Sequence, residues 1–468
     1  MNFPQDLLGS MANQSRPAAV DRVIRHWRVF INSEVLGSLF LLLCTIIAMI
    51  WANSPAAESY FGLLEMPLSV SLGDLHFSLT LHQWLNEGLM MAFFFLIGLE
   101  VKEQILVGEL STVRQALLPV GAALGGMLVP ATIYMLLNAA GLGSSGWGVP
   151  MSTDIAFALG ILALLGRRVP LSLKIFLATL AIADDIGAIL VITLFYTGHL
   201  NITGLLIAVL FWLILYLLGR WGIYNPLVFF TLSILIWLGF FASGIHATIA
   251  GVVIAIAIPA RPLREPIHVL EQIRARLDPD RMTGHDVLRH HDQRQAVSEL
   301  SNAMMDMTPP LIQLEKSLRP WVMFMLMPLF ALANAGVSLS EGGASLRETF
   351  THPVGLGVFL GLFVGKPIGI SLFTWLAVRL RLADLPRGVT WRHIRGVSVL
   401  AGIGFTMSLF VTQLAFSDQH ALAQEAKIGV LAASAVAGIV GLIILRHART
   451  DALSPDTGLQ ADRHYASA

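Results

Sequence analysis

Cysteine is almost missing from this chain. Cys44 is the only one in 468 residues, so no disulfide framework and no cysteine-based metal site can be built within it. Charge is scarce as well. Asp, Glu, Lys and Arg make up 13% of the sequence, against about 25% in soluble proteins. The 30 basic and 30 acidic residues cancel, which argues against a nucleic-acid partner. Residues 1–28 scatter Asp6, Arg16, Asp21, Arg22, Arg25 and Arg28 among small residues. They lack a signal peptide's apolar core and read as an uncleaved polar tail. What is abundant is apolar: 55% of the residues are hydrophobic and the mean hydropathy is +0.72. The chain therefore reads as a polytopic membrane protein.

A helix needs about 20 residues to cross the hydrocarbon core. Apolar windows punctuated by Gly, Pro and charge give twelve expected spans, at 32–52, 84–106, 116–138, 148–165, 171–196, 203–219, 226–241, 244–259, 320–338, 354–381, 394–416 and 426–446. The expected fold class is all-α, with about twelve transmembrane helices. Lys and Arg alternate between successive links. Four arginines precede the first span, Ala52 to Gln83 has no Lys or Arg, and Arg114, Arg167, Arg168 and Arg220 fall on the next links of the first side. The positive-inside rule puts both termini in the cytoplasm, with Arg347 the one stray outside. The expected organisation is a cytoplasmic tail (1–30), eight spans (31–259), a long cytoplasmic loop (260–319), four spans (320–447) and a second tail (448–468).

Two links stand out. Residues 67–81 alternate apolar and polar about Gly73-Asp74, a β-hairpin pattern on the outer side. An isolated hairpin is marginally stable, so it is expected either to pair with a second copy, making a homodimer, or to lie on its own protein. The 260–319 link carries nine basic and nine acidic residues together with His268, His285, His290 and His291. No histidine spacing there matches a strong metal motif, and the link reads as a solvated insertion.

Four charges lie deep in the expected spans: Asp154, Asp184, Asp185 and Lys366. Each carboxylate placed at a bilayer centre costs roughly 2.5–3.5 kcal/mol on insertion scales, so an adjacent pair is tolerated only where it faces protein or water and has something to bind. One buried acid can be a protonated packing residue and one lysine can snorkel, but three acids and a central lysine beside Pro367 are poorly explained as packing. Adjacent residues on a helix point about 100° apart, so one aspartate can line a pathway while the other turns to a neighbour. Burial and a nearby like charge favour the protonated acid; a bound cation or Lys366 favours the ionised one. Such a site holds protons or a cation, which is the minimum chemistry of proton/cation exchange. Oxygen ligands suit sodium or lithium, so Asp184 and Asp185 are the expected cation ligands, and no histidine or cysteine nearby suggests a transition metal. No cofactor is expected.

Two spans are interrupted in corresponding ways. The fourth carries Pro150-Met151-Ser152-Thr153-Asp154, and the eleventh carries Ala401-Gly402-Ile403-Gly404-Phe405-Thr406-Met407-Ser408. Paired interruptions of this kind are a pointer to a transporter's binding site. Broken helices place positive N-terminal and negative C-terminal ends inside the membrane; Asp154 can offset the former and Lys366 the latter. Close packing through Gly402 and Gly404 is the simpler alternative, but it leaves Thr153-Asp154 without a role.

At these residues the chain resembles the NhaA family of bacterial sodium/proton antiporters. The resemblance rests on Gly98-Leu99-Glu100-Val101-Lys102, Ser152-Thr153-Asp154-Ile155-Ala156-Phe157, Leu180-Ala181-Ile182-Ala183-Asp184-Asp185-Ile186-Gly187, Gly244-Ile245-His246-Ala247-Thr248, Asn334-Ala335-Gly336-Val337, Val364-Gly365-Lys366-Pro367 and Gly402 to Ser408. The family is a named example of inverted-repeat architecture, so the resemblance implies inverted repeats with two broken, crossing helices in the inner membrane. It implies Asp184 and Asp185 as the sodium and proton site, with Asp154, Thr153 and Lys366 around the crossing. It also implies electrogenic exchange that brings in more protons than the sodium ions it expels and rises at alkaline pH, with Glu100, His246 and Glu315 as the pH-responsive residues. The chain departs from the family pattern at Glu103-Gln104, where a base and an acid are usual. It departs also at Lys316 and Arg319, which replace histidines, and at Glu87, where aspartate is commoner.

Two rivals remain at this point. A proton-coupled symporter of a small solute would need a roomier polar pocket. An intramembrane aspartyl protease also needs two buried acids, but the only near match to its Gly-x-Gly-Asp signature, Ser71 to Asp74, lies in a link, and Lys366 would have no role.

Overall fold

A computed structural model describes residues 34–448 except 73–74, 140, 199, 224, 263–306 and 339–345. Both expected tails, and most of the 260–319 link with its four histidines, lie outside the described residues.

The chain is helical because a backbone surrounded by hydrocarbon must satisfy its own N–H and C=O groups. Among the described residues eight helices are long and apolar enough to cross a membrane, and nine if the bent pair Trp391–Leu400 and Phe405–Ala415 counts as one. The helix Leu171–Phe195 has 25 residues and extends about 37 Å at 1.5 Å per residue, more than the roughly 30 Å hydrocarbon core. It packs mainly on Val113–Asn138, of 26 residues, and His420–His447 is longer still at 28. Leu136, Leu194 and Leu227 are all more than seven-tenths exposed, as side chains solvated by lipid are. Asn201 and Asn225 start their helices by accepting the Thr203 and Leu227 N–H groups at 3.0 Å.

Several expected spans are built from shorter pieces. The 84–106 span is a π-helical stretch, Trp84–Leu89, followed by Met90–Leu106. The 244–259 span reduces to Ile249–Ala257, preceded by Gly244 at φ 79°. The 320–338 span begins ten residues early, at Pro310, and runs as Pro310–Trp321, a π-helical turn Val322–Leu326, and Met327–Asn334. The end of the expected 260–319 link is therefore helix. Its first turns are amphipathic, with Leu311 and Glu315 buried and Lys316 and Ser317 exposed, so a purely apolar window does not detect them.

A third π-helical segment, Gly361–Gly365, leads into Lys366–Arg379. It and Val322–Leu326 each stand just ahead of a proline, Pro367 and Pro328. Proline lacks its N–H, and its ring crowds the carbonyl four residues back; a wider turn relieves that crowding and sets the direction in which Lys366 emerges. Lys366–Arg379 packs backbone to backbone on Val113–Asn138 at Gly369 and Gly125, where any Cβ on Gly369 would collide with the Gly125 carbonyl. This contact fixes the lysine's height in the bundle.

The 67–81 alternation folds as two antiparallel strands, β1 (Pro67–Leu72) and β2 (Leu75–Thr80), in register from Pro67–Thr80 to Leu72–Leu75.

Candidate functional site

The site is assembled where two interrupted helices meet the helix that carries the aspartates. The fourth span enters as a 3₁₀ helix, Leu142–Met151, opens at Ser152–Asp154, and resumes as Ile155–Leu164. The eleventh opens between Leu400 and Phe405 with a 46° bend. The two openings are bonded to each other directly: the Asp154 N–H donates to the Ile403 carbonyl at 2.7 Å. Gly402 is there for closeness, since the Leu362 carbonyl lies where its Cβ would be. Gly404, with φ −87° and ψ −27°, packs against Ser408.

Asp154 is 1% exposed and serves both helix beginnings. Its Oδ1 accepts the Phe157 N–H at 3.0 Å, and its Oδ2 accepts the Thr406 N–H at 3.2 Å and the Thr406 hydroxyl. One carboxylate thus meets the orphan donors, and the positive dipole ends, of two facing helices. Ser152 and Ser408 approach to 3.3 Å, and Ser408 donates to the Val149 carbonyl at 2.8 Å.

Asp184 and Asp185 are 1% and 0% exposed, yet their surroundings differ. Asp184 Oδ2 receives the Lys366 ammonium and the Thr153 hydroxyl, the latter at 2.6 Å. Lys366 also donates to Thr153 Oγ1, and the Ala401 carbonyl lies 3.1 Å from that oxygen. Lys366 therefore reaches the carbonyl end of the broken eleventh helix only through Thr153, and its own partner is Asp184. Among the described residues Asp185 has no hydrogen-bond partner on either oxygen, and neither does Asp184 Oδ1. The 100° rotation between adjacent helical residues is what separates a paired acid from a bare one.

The bare acid faces space. A cavity of roughly 210 Å³, with Asp185 and Asp154 in its wall, continues to Glu100, Glu103 and Arg319. At about 30 Å³ per water, it holds several waters or a partly hydrated cation. At the far end Arg319 bridges Glu100 at 2.8 Å and Glu315 at 2.6 Å. Glu103 stands beside Glu315, close enough for the two carboxyl groups to share a proton. Glu100 and Glu315 are thus brought together, with Arg319 and Glu103 as members whose roles the sequence reading missed. Their one signal was that both differ from the family pattern. His246 is elsewhere: its Nε2 donates to the Tyr196 carbonyl at 2.8 Å, just past the opposite end of the aspartate helix. Thr406 was also missed as a partner of Asp154; it stands one residue inside a resumed helix, where N–H groups are unpaired.

The buried ion pair has a testable energetic consequence. Removing one partner of such a pair leaves an uncompensated buried charge and costs about 3–5 kcal/mol. Lys366→Ala is expected to lower the thermal unfolding midpoint in detergent by several degrees, with Lys366→Ala/Asp184→Asn recovering part of the loss. An unchanged midpoint in Lys366→Ala would show that the pair carries no stability.

Residues 28–445 match the model of the family described as Na+/H+ antiporter 1. The chain is 44% identical over 430 residues to the Na(+)/H(+) antiporter NhaA of Sulfurimonas denitrificans, covering 92% of this chain and 96% of the relative. It is 44% identical over 433 residues to the protein of the same name from Oleidesulfovibrio alaskensis, covering 92% and 95%, and 45% identical over 419 residues to that of Helicobacter pylori, covering 89% and 94%. With this much of its length matched, and with two broken helices bonded across a buried aspartate–lysine centre, the chain belongs to the Na+/H+ antiporter 1 family.

Proposed function

We propose that the protein is an electrogenic antiporter that expels sodium, or lithium, from the cytoplasm in exchange for protons. The observation that carries this reading is Asp185, a buried acid with both oxygens unpartnered in a cavity wall, beside an Asp184 already held by Lys366. A sodium ion reaching the cavity finds carboxylate oxygens and displaces the protons that otherwise neutralise them. To use Asp184 as a ligand it must also take that oxygen from the Lys366 ammonium. Protons and sodium therefore exclude one another at a shared set of atoms, and Asp154 and Thr153 keep the two helix breaks facing that set. Rocking of one part of the bundle against the other then exposes the pair to each side in turn. The charge pattern supports a cytoplasmic cavity mouth and cytoplasmic termini, and the family supports a bacterial inner membrane as the protein's location. The hairpin is the proposed dimer contact.

The pH response is read from the cavity mouth. Two carboxyl groups hydrogen-bond to each other only when one carries a proton, so the Glu103–Glu315 contact holds a shared proton at low pH. As pH rises the proton leaves, two carboxylates face one another, and the Glu100–Arg319–Glu315 group rearranges. Deprotonation is the activating event, which gives the alkaline direction. His246, at the other end of the aspartate helix, responds separately.

The direct test is transport in liposomes with a dye reporting the pH gradient. Sodium or lithium should collapse an imposed gradient, with a membrane-potential response, in the wild type. Asp184→Asn and Asp185→Asn should each abolish that collapse; exchange surviving in both would move the site. In Glu103→Gln the amide donates to Glu315 at every pH, so the alkaline rise in exchange should flatten. An unmoved profile would remove Glu103 from the pH response.

A further inference from the structure

Lys366 leaves a turn whose hydrogen bonding passes over one carbonyl. In the π-helical turn Gly361–Gly365 the Lys366 N–H donates to the Gly361 carbonyl, five residues back. In an α-helix it would donate to Leu362, four residues back. The next donor in line for Leu362 is residue 367, and that is a proline without an N–H. The Leu362 carbonyl therefore has neither an α nor a π partner in its own helix, and the residue is fully buried. It is an acceptor held in reserve beside the lysine.

Leu362 is also the residue on which the eleventh-span break rests. Its carbonyl fills the place of a Gly402 Cβ, and its Cδ2 fills that of a Gly404 Cβ. Gly361 in turn leaves room for Pro150, just ahead of the opening in the fourth span. The turn thus touches both interrupted helices, and the residue leaving it carries the charge held by Asp184 and Thr153. Val322–Leu326 is built alike, with the Met327 N–H on the Val322 carbonyl and Pro328 next. Relief of proline crowding accounts for both turns. Only at Gly361–Gly365 does the turn deliver a charged residue to the site.

We propose that the Gly361–Gly365 turn is a register switch for Lys366: when sodium takes Asp184, the Lys366 N–H passes from the Gly361 carbonyl to the Leu362 carbonyl, and the ammonium is drawn off Asp184. The inference rests on the exchange reading, which requires the lysine to give up that oxygen. A π turn holds one residue more than an α turn. Moving that residue past Lys366 rotates the lysine by about 100° and leaves the helix beyond it seated at Gly125 and Gly369. Pro367 eases the shift, because it has no N–H bond to break. Once bonded within its own helix, the Leu362 carbonyl withdraws from Gly402. Release of Asp184 and loosening of the crossing are then one event, and Leu362 joins them.

Gly365-Lys366 is the only Gly–Lys peptide in the sequence. Isotopic labelling of glycine carbonyls and lysine amides therefore marks the Lys366 amide alone in solid-state NMR of proteoliposomes. With leucine carbonyls labelled instead, magnetisation should pass across the hydrogen bond from that N–H to a leucine carbonyl when sodium is added at alkaline pH. It should not pass in sodium-free buffer. The same acceptor in both conditions would overturn the proposal. Deleting Val364 tests the switch in function, because the bond from Lys366 to Gly361 then becomes an ordinary α bond and the lysine is locked on Asp184. Sodium must then break a charged hydrogen bond unaided, so its affinity by calorimetry should fall about tenfold or more. With Lys366→Gln added, the deletion should no longer matter, and affinity should match that of Lys366→Gln alone. An equal loss in both backgrounds is structural damage and overturns the proposal. Should the deletion fail to insert, the NMR result decides. Wild-type protein that binds sodium without releasing protons would instead refute the exchange reading.

Discussion

Everything in this structure is arranged around the difficulty of keeping carboxylates in a medium that does not solvate them. The Lys366–Asp184 contact is the interaction on which the rest depends. The lysine brings a positive charge into the centre of the bundle, and it arrives there because a π-helical turn ahead of Pro367 and the Gly125–Gly369 contact set its height and direction. With that charge committed to Asp184, Asp185 is left bare at the cavity wall. A symmetric arrangement, with the ammonium shared equally, would leave no acid free to meet an incoming ion.

The broken helices solve the same difficulty for the backbone. Opening a helix inside a membrane exposes N–H and C=O groups that hydrocarbon cannot satisfy. Here Asp154 takes the N–H groups of both resumed helices, the Asp154 N–H takes the Ile403 carbonyl, and Thr153 stands between Lys366 and the Ala401 carbonyl. Backbone and side-chain charges form one network, so a change of occupancy at the aspartates is transmitted at once to the crossing. A ligand-driven conformational change requires an element whose occupancy and geometry are coupled in this way.

Much of this was legible in the sequence, because lipid makes the patterns strict. An aspartate pair inside an apolar run, Ser152-Thr153-Asp154 where a helix should be greasy, and the glycines around Ile403 each break a strong rule and so mark the site. The alternation over 67–81 likewise specified two paired strands. What was not legible depends on side-chain direction and on contacts between distant residues. Nothing local says that Asp184, not Asp185, meets a lysine 182 positions away, or that Thr406 closes on Asp154 across 252 positions. The helix beginning at Pro310 escaped because its first turns are amphipathic. The resemblance grouped His246 with Glu100 and Glu315, but the fold sends it to the opposite end of the aspartate helix.

The central claim is that sodium and protons compete for the same carboxylate oxygens. Calorimetric titration of the purified protein with sodium, in buffers of different ionisation enthalpy, measures this by counting the protons released for each ion bound. Competition predicts net proton release, with sodium affinity falling about tenfold for each unit of pH lowered per proton displaced. Sodium binding with no proton release, and with an affinity independent of pH, would contradict it.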